Sequence, residues 1–250
     1  MGSKEIKEED SIRNKRRTIE YEVRKIADIF FNMYVTSIFP LMYLFFCDEL
    51  CTRFHSLRTR WRNEVARIIE AGPGISNQKM ESERLAHAKL CDLINDVQKA
   101  FGSRLTTYLL FVFLDHLARF YFLTYVKPAF LATHPGLQSS FVKDLEPFLF
   151  LAHTWTGTYL IAYMSDFLTE SSKSVLTDLR NIPLWKLPKE CSEQVSFFMT
   201  QVQCSNTEMT ASGLFVVDKT LLSSIVMSLA TYIIVLIQLS PDLGRVFIEN

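Results

Sequence analysis

The chain has 250 residues, 27 Lys and Arg balanced by 27 Asp and Glu, and 48% hydrophobic residues including 20 Phe. These averages are close to those of an ordinary globular protein, but they mix two populations: long apolar runs alternate with strongly charged segments, as in a membrane protein with sizeable water-exposed parts. The balanced charge, with the basic residues lying in helical segments that continue into apolar runs, gives nucleic-acid binding little support.

Residues 1–25 form a charged N-terminal segment that includes Lys15, Arg16 and Arg17. A cleaved signal peptide is not expected here, because the first apolar stretch starts only at Ile26 and is too long for the apolar core of one. A bilayer core of about 30 Å requires about 20 apolar residues in a helix. Four segments meet that length: 26–47, 105–126, 145–168 and 220–239. The first is interrupted by Asp28, Asn32 and Pro40, and a kink is expected at the proline. Glu146-Pro147 opens the third, where proline suits a first helical turn. Ser240-Pro241 closes the fourth.

Residues 48–104 carry Arg53, Arg58, Arg60, Arg62, Arg67 and Arg104, so they lie outside lipid. They are nevertheless helical by pattern. Leu50, Phe54, Leu57, Trp61, Val65 and Ile68 recur at three- and four-residue steps, and Leu90, Ile94, Val97, Phe101 and Leu105 repeat the pattern after the break at Gly72-Pro73-Gly74. Two membrane helices are expected to continue into water and pack on each other there. Residues 127–144 are expected as an extracellular loop. Residues 169–219 form a second polar stretch, with Pro183 and Pro188 in a loop, a short stripe of Val195, Phe198, Met199 and Val202, and a joint at Ser212-Gly213. Lys and Arg placement puts 48–104 and 169–219 in the cytoplasm, and 127–144 and the 240–250 tail outside. The basic N-terminal segment conflicts with this, since four spans place it outside as well.

The five cysteines give no disulfide or zinc framework. Cys47 and Cys51, and His87 and Cys91, are each one helical turn apart, but further ligands at metal spacing are missing, so no metal or cofactor is assigned. Glycine-rich phosphate loops, nucleophile elbows and zinc-protease signatures are absent, so no enzyme is expected.

Three groups of polar residues interrupt the apolar runs. Along the last helix, Ser224, Ser228, Thr231, Val235 and Gln238 share one face, with Leu239 adjacent. Such a face needs either helix partners or water. In the second span, Asp115, His116 and Arg119 lie within one turn. A lone charge at mid-bilayer costs roughly 2.5–3.5 kcal/mol, so Asp115 and Arg119 are expected to neutralise each other or to serve a ligand pocket. In the third, His153, Thr154, Trp155, Thr156 and Tyr159 cluster in the half nearer the outside, where aromatic and hydroxyl groups suit either a small organic ligand or interfacial anchoring.

One motif is more specific. Thr210-Ala211-Ser212-Gly213-Leu214-Phe215-Val216-Val217-Asp218, followed by a helix ending in Thr231-Tyr232, five apolar residues, Gln238 and Leu239, resembles the C-terminal signature of the insect gustatory receptor family. Leu239 stands where the family usually has Phe. A weaker resemblance extends upstream through Arg53-Phe54, His87 to Leu90, Ile94-Asn95 and Phe101-Gly102, so the match covers residues 27–240 and is sharp in the last thirty. The resemblance implies an all-α, polytopic membrane protein whose four spans correspond to the last four of seven, with long cytosolic helical extensions. It further implies a ligand-gated cation channel for small-molecule tastants at the plasma membrane, assembled as a homo- or hetero-tetramer around a central pore. In that picture Ser228, Thr231, Val235, Gln238 and Leu239 line the pore, with Val235 and Leu239 as an apolar gate. Asp115, Arg119, His153, Trp155, Thr156 and Tyr159 are the candidate ligand contacts. The chain is expected to be a truncated or partial form. A G-protein-coupled chemoreceptor and a non-conducting membrane subunit are the alternatives.

Overall fold

The computed structural model describes the backbone of residues 2–71, 77–123 and 141–239, and within these the side chains at 23–24, 26–27, 33–34, 36–70, 78–123, 147–236 and 238. The fold is a bundle of long helices: α1 (Gly2–Ala71), α2 (Asn77–Tyr121), α3 (Phe141–Lys173), α4 (Val175–Arg180), α5 (Lys189–Cys204) and α6 (Lys219–Leu239). A two-residue-per-strand hairpin, β1 (Thr210–Ala211) and β2 (Phe215–Val216), is inserted before α6. The charged residues 2–25 belong to the same helix as the apolar run behind them. At 1.5 Å per residue α1 is about 105 Å long and α2 about 68 Å, so both far exceed a bilayer core. α1 is unbroken at Pro40. The break at Gly72-Pro73-Gly74 and the loop 127–144, except at its last residues, lie outside the described residues, as does the 240–250 tail.

The expected stripes are the core. Leu50, Phe54, Ile94, Val97, Phe101 and Leu105 are buried together with Tyr43, Ile161 and Leu168 of α1 and α3. Leu57, Trp61, Val65 and Ile68 join Val195, Phe198 and Val202 of α5 and Val175 and Leu179 of α4 in a second cluster. Three- and four-residue spacing keeps each stripe on one side of its helix, so burying that side against its neighbours removes apolar surface from water without burying the charged side.

The two ends of the bundle differ. Around the second cluster the outward positions are mostly polar or charged, with Trp185 and Phe197 as exposed apolar exceptions. Asp178 of α4 accepts from Arg58 Nε at 2.5 Å and from Arg62 Nη2 at 2.6 Å, the two guanidiniums forking over both carboxylate oxygens. Burial by itself raises the Asp178 pKa, but the Arg58 and Arg62 hydrogen bonds outweigh it and bring it down to about 2. A depressed carboxylate adds stability that is present above its unfolded pKa of ~4 and disappears as pH falls through the folded value. Asp178→Asn is therefore expected to cost about 2–3 kcal/mol at neutral pH. It should also flatten the stability profile on the acid side between ~4 and about 2, read from melting temperature against pH,. An unchanged acid limb would show that the clamp carries no stability.

At the other end, large apolar side chains face outward on four helices: Tyr34, Leu41 and Phe45 on α1, Leu110 and Leu114 on α2, Phe148 and Tyr159 on α3, and Met227 on α6, each more than half exposed. So large a belt on a single chain calls for a partner phase or a partner protein. Among the described residues one helix, over Lys219–Leu236, is long and apolar enough to cross a membrane, and only 6% of that window is buried within the chain. Close approach at this end depends on Gly157 of α3, where a Cβ would meet the Tyr108 hydroxyl at 2.9 Å and the Pro40 ring at 3.7 Å.

Candidate functional site

The motif before the last helix is a mechanical joint. Ala211 and Leu214 close a turn through a backbone bond of 3.0 Å, and its central residues Ser212 and Gly213 both have positive φ, 53° and 73°. A Cβ on Gly213 would meet nothing within 4 Å, so the glycine is there for its left-handed backbone,. The hairpin docks on one face of α2. Gln98 hydrogen-bonds Thr210, the Ser212 and Thr106 hydroxyls are 3.2 Å apart, and a Cβ on Gly102 would come within 3.1 Å of the Ser212 backbone nitrogen. Behind the hairpin Met209, Ala211 and Val217 are buried in the first core cluster. Asp218 then caps α6: its Oδ1 accepts the Thr220 and Leu221 N–H groups at 2.9 and 3.1 Å,. Lys219 pairs with Asp166 of α3 at 2.6 Å.

From this joint α6 rises with three faces. Leu229 is buried, and Leu222, Ile225, Ile233 and Leu236 are half-buried on the side that leans on α2 and α3, where Phe113 and Tyr232 meet edge-on at 5.8 Å. Val226, Ala230 and Ile234 form an exposed apolar side. Ser224, Ser228, Thr231, Val235 and Gln238 form a third side, also exposed. Thr231 returns its hydroxyl to the Met227 carbonyl at 2.9 Å. Ile233 is half-buried against its own chain, because it falls one turn after Leu229 on the packed stripe. The side chains of Ile237 and Leu239 lie outside the described residues.

At the apolar end a polar cluster sits between α1, α2 and α3. Arg119 donates to Asp115 at 2.7 Å and lies 4.1 Å above the Phe150 ring. The pair therefore neutralises itself one helical turn apart while the guanidinium face is covered by an aromatic ring. His116 is buried; its Nδ1–H donates to the Val112 carbonyl at 2.6 Å, its Nε2 lies 3.5 Å from the buried Thr154 hydroxyl, and its ring meets Trp155 edge-on at 5.4 Å. His153 reaches across to α1, with Nε2 3.0 Å from Ser37 Oγ. Arg119 and His153 thus both lie against Phe150, while Trp155 joins the cluster only through His116. Thr156 and Tyr159 do not join it. Both are exposed, Thr156 bonded to the Ala152 carbonyl and Tyr159 stacked on Tyr163.

Sequence reasoning did not single out Ser37, Gln98, Thr106 or Asp166. Gly102 was noticed only for its resemblance. An acidic residue at the inner edge of an apolar span and a glycine within a regular stripe were the available signals. The His87–Cys91 pair is a hydrogen bond, with Cys91 Sγ 3.6 Å from His87 Nδ1. Among the described residues no three His, Cys, Asp or Glu side chains converge as metal ligands. An open cleft of about 480 Å³ lies beside the hairpin, lined by Asn95, Gln98, Lys99, Gly102, Ser103, Ser212 and Gly213.

Residues 26–241 match the family described as 7tm chemosensory receptor. The fold is similar to that of the insect olfactory receptor OR5 from Machilis hrabei, with a TM-score of 0.66 at 17% identity over 80% of this chain and 48% of that one. The same receptor in complex with eugenol is similar to the same degree. The chain thus spans about half the length of the receptor it resembles. No curated protein matches it in sequence.

Proposed function

The chain belongs to the 7tm chemosensory receptor family, and from that premise we propose that it is a gustatory receptor acting as a ligand-gated cation channel for small-molecule tastants in the plasma membrane. The observation that carries the proposal is the third face of α6. Ser224, Ser228, Thr231 and Gln238 are exposed on a helix whose other exposed side is apolar. Hydroxyls and an amide facing hydrocarbon would be costly, whereas four copies of α6 around one axis would turn that face to water. Val235 on the same face is the one wholly apolar residue of the stripe, and a ring of four would hold a narrow passage dry until the helices splay.

The rest of the assembly follows from the same division. Segments 26–47, 105–126, 145–168 and 220–239 are the membrane spans in this reading, a placement supported by the outward apolar belt. The polar end, with the Arg58–Asp178–Arg62 clamp, is then the cytosolic part and the surface through which subunits join into a homo- or hetero-tetramer. Asp115, Arg119, His153 and Trp155 form the wall of a tastant pocket, with Ser37 and His116 behind them. Thr156 and Tyr159 contribute to it only through a neighbouring subunit.

Val235→Ser is expected to raise resting current several-fold without ligand, since a hydroxyl wets the ring. Gln238→Glu should shift cation over anion permeability, because four carboxylates replace four amides. Cysteines placed at Val235 and Gln238 should react with water-soluble thiol reagents, and cysteines at Val226 and Ile234 should not. The opposite labelling pattern would sink the pore assignment.

A further inference from the structure

Among the described residues His87 is the one fully buried imidazole at the polar end, and from α2 it touches three other helices. From α2 its Nε2–H donates to the Ser172 carbonyl of α3 at 3.0 Å. Its Nδ1 accepts the Cys91 thiol, with the sulfur at 3.6 Å. Its ring meets Phe54 of α1 edge-on at 5.4 Å and Phe198 of α5 at 5.2 Å. Phe198 in turn packs on Trp61 at 4.8 Å, so this group of rings forms part of the seat of α5, beside Cys191, Val195 and Val202 in the same core.

The arrangement is specific to the neutral ring with its proton on Nε2. One nitrogen donates and the other accepts, and both partners are fixed. A second proton, on Nδ1, would turn the acceptor toward the Cys91 thiol into a donor, and would place a full charge among two phenyl rings. Burial already holds the His87 pKa below the ordinary histidine value, and the Ser172 carbonyl offsets only part of that.

Among the described residues no carboxylate hydrogen-bonds the ring, although Glu83 Oε2, one turn away, is buried without a hydrogen bond of its own. On α2, Glu83 lies one turn before His87 and is paired with Arg60 at 3.4 Å, while Arg84 donates to Gln201 of α5 at 2.9 Å. On α1, the Cys51 thiol is buried and Arg58 is committed to Asp178. On α3, Lys173 pairs with Glu208 at 3.7 Å, and α5 presents Phe198 to the ring. The influences on the His87 proton affinity are burial and one backbone carbonyl, with no charged group among them.

We propose that His87 is an acid-sensitive latch that holds α5 on the α1–α2–α3 bundle and releases it when the compartment bathing the polar end acidifies. The latch concerns packing and stands whether or not the chain conducts ions. The sign follows from linkage: a histidine whose folded pKa is depressed contributes stability in full above its unfolded pKa of ~6.5, and loses it as pH falls below that value.

The test uses the full chain in nanodiscs, with backbone hydrogen exchange over Lys189–Cys204 compared at pH values of about 7.5 and about 5.5 after correction for intrinsic exchange,. In the wild type, opening of α5 should rise about tenfold over that interval, and in His87→Gln it should not change with pH. The same rise in the Gln variant, or no rise in the wild type, overturns the proposal. Exchange at the imidazole C2 position, measured on wild type alone, decides the matter if the variant fails to fold. His87 should titrate with a midpoint below the ordinary histidine value of ~6.5,. A His87 midpoint at or above that value overturns it.

Discussion

Trp61→Ala is expected to lower the unfolding free energy by about 3–5 kcal/mol, the range for deleting a large aromatic side chain from a packed core. Trp61 is 1% exposed and is among the largest fully buried side chains. It stands edge-on to Phe198 at 4.8 Å and shares a cluster with Leu57, Val65, Ile68 and Val195. Its removal would empty the seat of α5, so the loss should be seen both in the melting temperature of the detergent-solubilised protein and in faster hydrogen exchange across α5. The indole Nε1 has no hydrogen-bond partner among the described residues. The residue is thus held by volume and ring contacts rather than by a polar anchor, and Trp61→Phe should cost no more than about 1.5 kcal/mol. Equal losses for Phe and Ala would mean that the indole nitrogen matters after all.

Gly102→Val is expected to cost about 3 kcal/mol and to detach the hairpin from α2. A Cβ at this position already comes within 3.1 Å of the Ser212 backbone nitrogen and 3.5 Å of its Cα, and backbone atoms cannot swing aside as a side chain can. The larger branched side chain has to push the hairpin away, breaking the Gln98–Thr210 bond and exposing Met209, Ala211 and Val217. Gly213→Ala is the informative contrast. It has open space around it, and its cost of about 1–2 kcal/mol comes only from the left-handed backbone,. Hydrogen exchange over residues 209–218 should accelerate strongly in the Val variant and weakly in the Gly213 one. Comparable acceleration in both would show that the fit on α2 is not what holds the hairpin.

Much of this architecture was legible in advance, for a definite reason. The stripes from Leu50 to Ile68 and from Leu90 to Leu105 repeat at helical spacing, and burial along each is a local consequence of periodicity. All of their residues except the half-buried Leu90 are buried. The same logic gave the intrahelical Asp115–Arg119 pair, since residues four apart on a helix are neighbours whatever the rest of the fold does,. The exposed polar face of α6 was likewise a matter of spacing within one helix. Ile233 shows the limit of spacing: which of the remaining sides leans on the chain depends on where α2 and α3 stand, and nothing in the local sequence states that.

By itself, then, the sequence determined helix type, the inward stripes and the family motif, because these depend on contacts between residues a turn apart or on a defined run of residue types. Only the tertiary structure decided which helices meet. It turned Arg58 and Arg62 from loop charges into a clamp on Asp178, 120 and 116 residues away. It brought Ser37 to His153, Gln98 and Gly102 to the hairpin, and Lys219 to Asp166. It left Thr156 and Tyr159 exposed, outside the cluster they adjoin in sequence, because which parts of α3 are covered depends on where α1 and α2 stand. His87 shows the difference most plainly. Its spacing to Cys91 was visible from the start, but its role at the meeting of four helices rests on long-range packing, which periodicity along one chain segment does not encode.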